Sequence, residues 1–278
     1  MSFTWYSQQM PEPEPIAPWQ WILIVPRTLA LLTILLTGVI LSAFVRLVEQ
    51  PLCGVQRPVT PFVTVMVCRL CLHVIGLRLR SEGERMRGAG ALVANHSSWL
   101  DIFVLNARKR VYFVSKSEVA GWPGIGLLAR ITGTVFIARA PRQARAQVEI
   151  FEERLRAGHR LLFFPEGTST DGMRVLPFRT TLFEAFFAPI LRDDIHVQPV
   201  SLIYIAPAAR VPQFYGWWGD MSFGGHLLHV LASPRHGQVK IVYHPPVKVA
   251  EFRDRKALAR ELEQAVRSGM PPERRASA

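Results

Sequence analysis

A histidine and an aspartate five positions apart, in the run Asn95, His96, Ser97, Ser98, Trp99, Leu100, Asp101, are the residues of this chain best suited to moving a proton. The apolar residues Ala91, Leu92, Val93 and Ala94 before them read as a buried strand that delivers His96 to its tip. Ser97 and Ser98 read as helix-start residues, with Asp101 in the first turn. On one continuous helix His96 and Asp101 would be separated by about 140° and would not share a face. They meet if His96 stays in the loop and its ring folds back over that first turn. The carboxylate then fixes one imidazole tautomer and raises its basicity, giving a base with its orienting acid but no nucleophile, so that a substrate hydroxyl supplies the proton. The competing reading makes Ser98 and Asp101 a capping box and His96 an ordinary loop histidine. The heptapeptide alone leaves both open. Ser97 is a lesser candidate nucleophile, and no Gly-x-Ser-x-Gly elbow occurs in the chain.

Three further segments place polar residues at the ends of apolar runs. Residues 133–139 read as a short strand ending in Arg139, and residues 163–168 as a strand breaking into a turn at Glu166, Gly167 and Thr168. Residues 197–201 open a third apolar run. In this order and spacing the four blocks resemble the glycerolipid acyltransferase family, whose bacterial members include 1-acylglycerol-3-phosphate O-acyltransferases. The resemblance covers residues 75–210. It implies that His96 is the general base and Asp101 its partner, and that Arg139, Glu166, Gly167 and Thr168 form the acceptor's polar-head site. It also implies transfer of an acyl group from acyl carrier protein or a coenzyme A thioester to a lysolipid hydroxyl, with no metal and no cofactor besides that donor.

Read from chemistry alone, Arg139 can grip a phosphate with two parallel hydrogen bonds, or can be a surface arginine at a strand end. Glu166 repels an anion and is better placed to accept from acceptor hydroxyls or from Arg139, unless it only shapes the turn with Pro165 and Gly167. The helix start after His96 and the turn at 165–167 are the two candidate sources of oxyanion donors. One departure stands out. Family members acting on lysophosphatidic acid often carry Arg-Ser after the Glu-Gly-Thr block, where this chain has Ser169 and Thr170. Residues 217–221, Trp-Trp-Gly-Asp-Met, are similar to acyltransferases that complete ornithine lipids. The expected acceptor is lysophosphatidic acid, with lyso-ornithine lipid second and a lipid hydrolase as a further alternative.

The elements that must position these residues point to an α/β domain with a mixed sheet flanked by helices, preceded by a membrane-embedded helical segment. Expected strands are 76–80, 92–95, 111–115, 134–138, 161–164, 197–205 and 239–243; helices are expected at 142–157 and 252–266. The organisation expected is a tail at 1–20, a membrane-anchoring segment at 21–80, the acyltransferase domain at 81–250, and a helix and disordered tail at 251–278. Residues 28–45 carry no charge, and with 19–25 before them are long enough for a hydrocarbon core of about 30 Å, although Pro26 and Arg27 suggest a kink. A second apolar run, 62–77, holds Arg69 and His73 and reads as an amphipathic helix on the membrane or under the first helix. Its Cys68 and Cys71 read as packing residues rather than a metal or redox pair. Residues 121–128 are apolar and glycine-rich, suited to an acyl groove or to core.

Mean hydropathy is +0.17 and the pI is about 10.4. The net charge is +12, from 33 Lys and Arg against 21 Asp and Glu. Because the first 26 residues contain no Lys or Arg, the basic domain is expected on the cytoplasmic face of the inner membrane. Dispersed arginines beside a membrane suit anionic headgroups and phosphate-bearing substrates. Nucleic acid is excluded as a partner because no recognition motif accompanies them.

Overall fold

Short apolar runs separated by amphipathic ones give alternating strands and helices, in that order along the chain. The computed structural model describes residues 4–7, 14–121, 125–137 and 144–275. Two long helices lead, α1 (Trp21–Cys53) and α2 (Thr60–Ile75), followed by β1 (Arg78–Glu82), β2 (Gly90–Ala94), α3 (Leu100–Arg108) and β3 (Tyr112–Lys116). Then come α4 (Ile125–Thr132), β4 (Val135–Ile137), α5 (Ala144–Arg156), β5 (Arg160–Phe163) and the short α6 (Pro189–Arg192). The chain closes with β6 (His196–Ile205), α7 (Phe223–Ala232), β7 (Gln238–Tyr243), β8 (Val247–Lys248) and α8 (Arg255–Ser268). Every expected strand forms, with ends moved by at most two residues where they are described.

The strands make one mixed eight-stranded sheet in the order β1-β7-β6-β2-β5-β3-β4, with β8 against β6. β2 is central and parallel to both neighbours, β5 and β6, whereas β7 runs antiparallel to β6. A parallel strand covered on both faces must be apolar throughout, and all five residues of β2 are buried. Its alternate side chains feed two cores. Leu92 and Ala94 join a core with α1, α2, α3 and α7, and Ala91 and Val93 join one with α5, α8 and the 3-10 segment Thr180–Phe187. Parallel pairing carries the chain out of β2 and β5 at the same edge of the sheet, so the turns after them lie side by side.

In the N-terminal segment Pro26 and Arg27 fall inside one helix. α1 runs unbroken through Pro26, and Arg27 explains why a charge is tolerated there: its Nη1 donates to the carbonyls of Leu231 and Ser233 at 2.6 and 2.7 Å. A cation is thereby held against the C-terminal carbonyls of α7. α2 packs under α1, and Arg69 is taken up by the Ala107 carbonyl at 2.7 Å. At the crossing a Cβ on Gly38 would stand 2.4 Å from Val67 Cγ2, so only glycine allows this approach. The other side of α1 leaves Val25, Leu29, Leu32, Leu36, Ile40 and Phe44 exposed in a continuous apolar stripe. With the turn before it, α1 is the one helix among the described residues long and apolar enough to cross a membrane.

The expected disorder from Met270 is corrected. Met270 is fully buried in the second core, and Arg274 donates to the Tyr204 carbonyl at 2.9 Å. α8 packs on β6 and is part of the same body as the sheet.

Candidate active site

His96 stands one residue beyond Asn95 at the carboxyl end of β2. Asn95 locks that end to β6, its side chain exchanging two hydrogen bonds with the Leu202 backbone at 2.9 and 2.7 Å. The His96 main chain is then gripped twice: its N–H donates to Glu166 Oε1 at 2.8 Å, and its carbonyl accepts from the Thr170 N–H at 2.9 Å. The next carbonyl, of Ser97, accepts from the Trp217 N–H at 2.8 Å. A loop held by three separate segments cannot swing, which is what a positioned base requires.

The imidazole Nδ1 lies 2.7 Å from Asp101 Oδ2. The same oxygen accepts the N–H groups of Ser97 and Ser98 at 2.8 and 3.1 Å, while Oδ1 accepts the Tyr204 hydroxyl at 2.7 Å. The two readings of the heptapeptide thus merge, because one carboxylate closes the loop into the helix and orients the histidine. Ser98 is not the N-cap: that position falls one residue later, on Trp99, which offers no side-chain cap before α3 begins at Leu100. Asp101 is fully buried and the His96 side chain 22% exposed, so the ring presents its outer nitrogen to solvent. With Nδ1–H donated to the carboxylate, Nε2 carries the free lone pair. Phe164 stacks on the ring at 4.2 Å between centroids and fixes its plane. Burial and the neighbouring Asp101 charge both push the Tyr204 hydroxyl well above its usual range, so it stays a donor.

Glu166 departs from its expected use at the acceptor headgroup. It is 1% exposed, and its second oxygen accepts the Leu176 N–H at 3.1 Å. Both oxygens are therefore occupied by main chain, and what Glu166 does is hold His96. Burial pushes its carboxyl up to about 8 against the opposing pull of those two N–H donors, with the Asp101 charge adding to the rise. Gly167 makes the turn in the left-handed region at φ 75°, and its N–H goes to the Phe164 carbonyl at 3.1 Å. Of the amides in the two expected oxyanion sources, those of Ser97 and Ser98 donate to Asp101 and that of Gly167 to the Phe164 carbonyl. Ser97 is fully buried and its Oγ has no hydrogen-bond partner, so no base activates it as a nucleophile. Arg139 lies outside the described residues, as do residues 122–124 of the expected groove.

Residues 4–7 lie over this turn. The Trp5 N–H donates to Thr168 Oγ1 at 3.3 Å, Arg174 sits over the Trp5 ring at 5.1 Å, and Tyr6 donates to Asp220 Oδ1 at 3.0 Å. Sequence reasoning had not singled out Tyr204 or His226, which accepts the Trp99 indole N–H at 2.9 Å. A phenol within the apolar run of β6 was the signal available for Tyr204.

A buried carboxylate holding a histidine that leaves one nitrogen open is an arrangement suited to taking a proton from a substrate hydroxyl. Comparison with known proteins gives the family. The Acyltransferase family model matches residues 78–203. The chain is 55% identical to the lyso-ornithine lipid O-acyltransferase of Rhodobacter capsulatus over 87% of each chain, and 36% identical to that of Pseudomonas aeruginosa over 87% of this chain and 91% of the other. Against the 1-acyl-sn-glycerol-3-phosphate acyltransferase of Neisseria gonorrhoeae, identity is 28% over 70% of this chain and 74% of that one. The crystal structure of the 1-acyl-sn-glycerophosphate acyltransferase of Thermotoga maritima shares the fold, with a TM-score of 0.63 at 20% identity over 90% of this chain and 95% of that one. This chain belongs to the acyltransferase family and is an acyltransferase acting on lysolipids.

Proposed function

We propose that the protein is a membrane-attached lyso-ornithine lipid O-acyltransferase, which esterifies the free hydroxyl of the lysolipid from an acyl thioester. The observation that carries this reading is the 55% identity, over 87% of both chains, to the R. capsulatus enzyme of that name. It replaces lysophosphatidic acid as the leading acceptor. Two features of this chain support it. Ser169 stands where an arginine would serve a phosphate, and the stretch 217–221 docks on the catalytic loop through the Trp217 N–H. With Glu166 committed to the main chain, the exposed Asp220 is the carboxylate for the ornithine ammonium, and Arg139 is the cation for its carboxylate.

In the reaction, His96 Nε2 takes the proton from the lysolipid hydroxyl as its oxygen attacks the thioester carbonyl. The tetrahedral oxyanion collapses, the carbon–sulfur bond breaks, and the thiolate leaves with the proton returned by His96. Asp101 keeps Nδ1 protonated throughout and stabilises the transient imidazolium. The donor is acyl carrier protein or acyl-coenzyme A, both acidic and suited to a chain of net charge +12. The exposed stripe of α1 seats in the cytoplasmic membrane, with the catalytic domain on the cytoplasmic face.

A panel of purified lysolipid acceptors with each donor tests this. Lyso-ornithine lipid should be esterified with a kcat/KM at least ten-fold above that of lysophosphatidic acid, and the reverse order would restore the phosphate acceptor. Ser169→Arg should lower turnover of lyso-ornithine lipid and raise that of lysophosphatidic acid.

A further inference from the structure

At the opposite edge of the sheet, where β2, β3 and β5 begin, the described residues enclose a cavity of about 440 Å³. The length of β2, roughly 16 Å of strand, separates it from the loop that carries His96. Arg57, Arg87, Arg110 and Arg160 line it together with Tyr112 and His159, and no Asp or Glu is among its lining residues. Arg85 joins the cluster by donating to the Arg110 carbonyl at 2.9 Å.

Two of these guanidiniums are held in place without being neutralised. Arg57 donates to the Ile131 carbonyl at 2.7 Å and Arg160 to the Arg87 carbonyl, so the groups holding them are uncharged. Glu49, the nearest acid acting on Arg57, is already bound to Thr60 and to the N–H groups of Val59 and Thr60. Buried N–H donors remain without any partner: Nε of Arg57, Nε and Nη1 of Arg85, and Nε of Arg160. Burial first, and then neighbouring arginines (Arg46 and Arg154 for Arg57, Arg160 and Arg110 for Arg85), lower Arg57 and Arg85 to about 10, and burial with Arg154, Arg57 and Arg110 holds His159 at about 4. Unpaired buried donors on clustered like charges are destabilising by themselves. They are what a tetrahedral oxyanion with several acceptor atoms would satisfy.

We propose that this cavity is a second binding site, separate from the catalytic centre, for the phosphate group of a phosphate ester. It does not depend on which acceptor the enzyme esterifies. Exposed apolar residues adjoin the cavity: Val59 follows the lining residue Pro58, and the lining residue Arg110 sits over the Phe62 ring at 5.2 Å. A phospholipid headgroup can therefore enter with its chains along α1 and α2, and a soluble phosphate can enter from the open side.

The test compares the full chain with the Arg87→Ala/Arg110→Ala variant in neutral detergent. Both side chains are exposed and neither donates a hydrogen bond among the described residues, so the variant should fold. In chloride alone it should melt at or above the wild-type temperature, because repulsion is relieved. Inorganic phosphate at matched ionic strength should raise the wild-type Tm saturably, and the variant should need at least ten-fold more. Mixed micelles of phosphatidylglycerol, with phosphatidylcholine as control, form the second arm. A variant-sensitive response there assigns the phosphate to a lipid, and a response confined to inorganic phosphate assigns it to a soluble ester. Identical responses of variant and wild type to both probes would overturn the proposal. So would a variant that melts well below wild type in chloride alone, which would make these arginines structural.

Discussion

Asp101 carries four contacts on two oxygens, and that economy decides how its substitution behaves. Asp101→Asn replaces one acceptor with an NH₂ that faces either two main-chain N–H groups or the Tyr204 hydroxyl. We expect kcat to fall by more than about 10²-fold and stability to fall by about 1–3 kcal/mol, read by steady-state kinetics and denaturant melts on the same sample. A pure cap would lose stability alone. Glu166 gives a pH signature. Its folded carboxyl binds a proton up to about 8, against about 4.5 when unfolded, so its contribution is full at low pH and is lost as pH rises through 8. Between pH 7 and 8 the histidines held near 4, His159, His226 and His236, are neutral in the fold and nearly so when unfolded. Wild-type stability should therefore decline in this window relative to Glu166→Gln, with a limiting slope of about 1.4 kcal/mol per pH unit. Parallel stability curves would mean that Glu166 is ionised in the fold. At the headgroup, Asp220→Asn should raise the KM for lyso-ornithine lipid about ten-fold and leave Tm nearly unchanged.

The elements show where sequence patterns inform and where they stop. A continuous apolar run marked the central strand β2, because a parallel strand covered on both faces has no polar side to alternate. The charged amphipathic run before Ser268 marked α8, and Asp254 caps it by accepting from the Lys256 and Ala257 N–H groups at 2.8 Å. Neither the strand order nor the partners of the catalytic loop could be read, since Tyr204 and Trp217 approach it from more than 100 positions away. Glu166 was singled out in the sequence but not as a main-chain clamp, because the approach of His96 is set by the pairing of β2 with β5 and that of Leu176 by the loop after β5. The α1–α2 crossing offers a direct test of packing. Gly38→Ala should lower stability in detergent by about 1–3 kcal/mol, and Val67→Ala in the same chain should recover part of it. No effect of Gly38→Ala would mean that the helices part without cost.

As a whole, the molecule joins a one-sided apolar helix pair to a sheet whose carboxyl edge holds the base. Attachment through apolar surface predicts that the protein stays with membranes through high salt and carbonate, measured by sedimentation, whereas release by salt alone would assign attachment to charge. The central claim is that His96, oriented by Asp101 and pinned by Glu166, removes the proton from the lysolipid hydroxyl. It is tested most directly by single-turnover ester formation with His96→Ala, with folding checked by its melting curve. The account predicts a fall of about 10²–10⁴-fold with the melting transition retained; ester formation within a few-fold of wild type would contradict it.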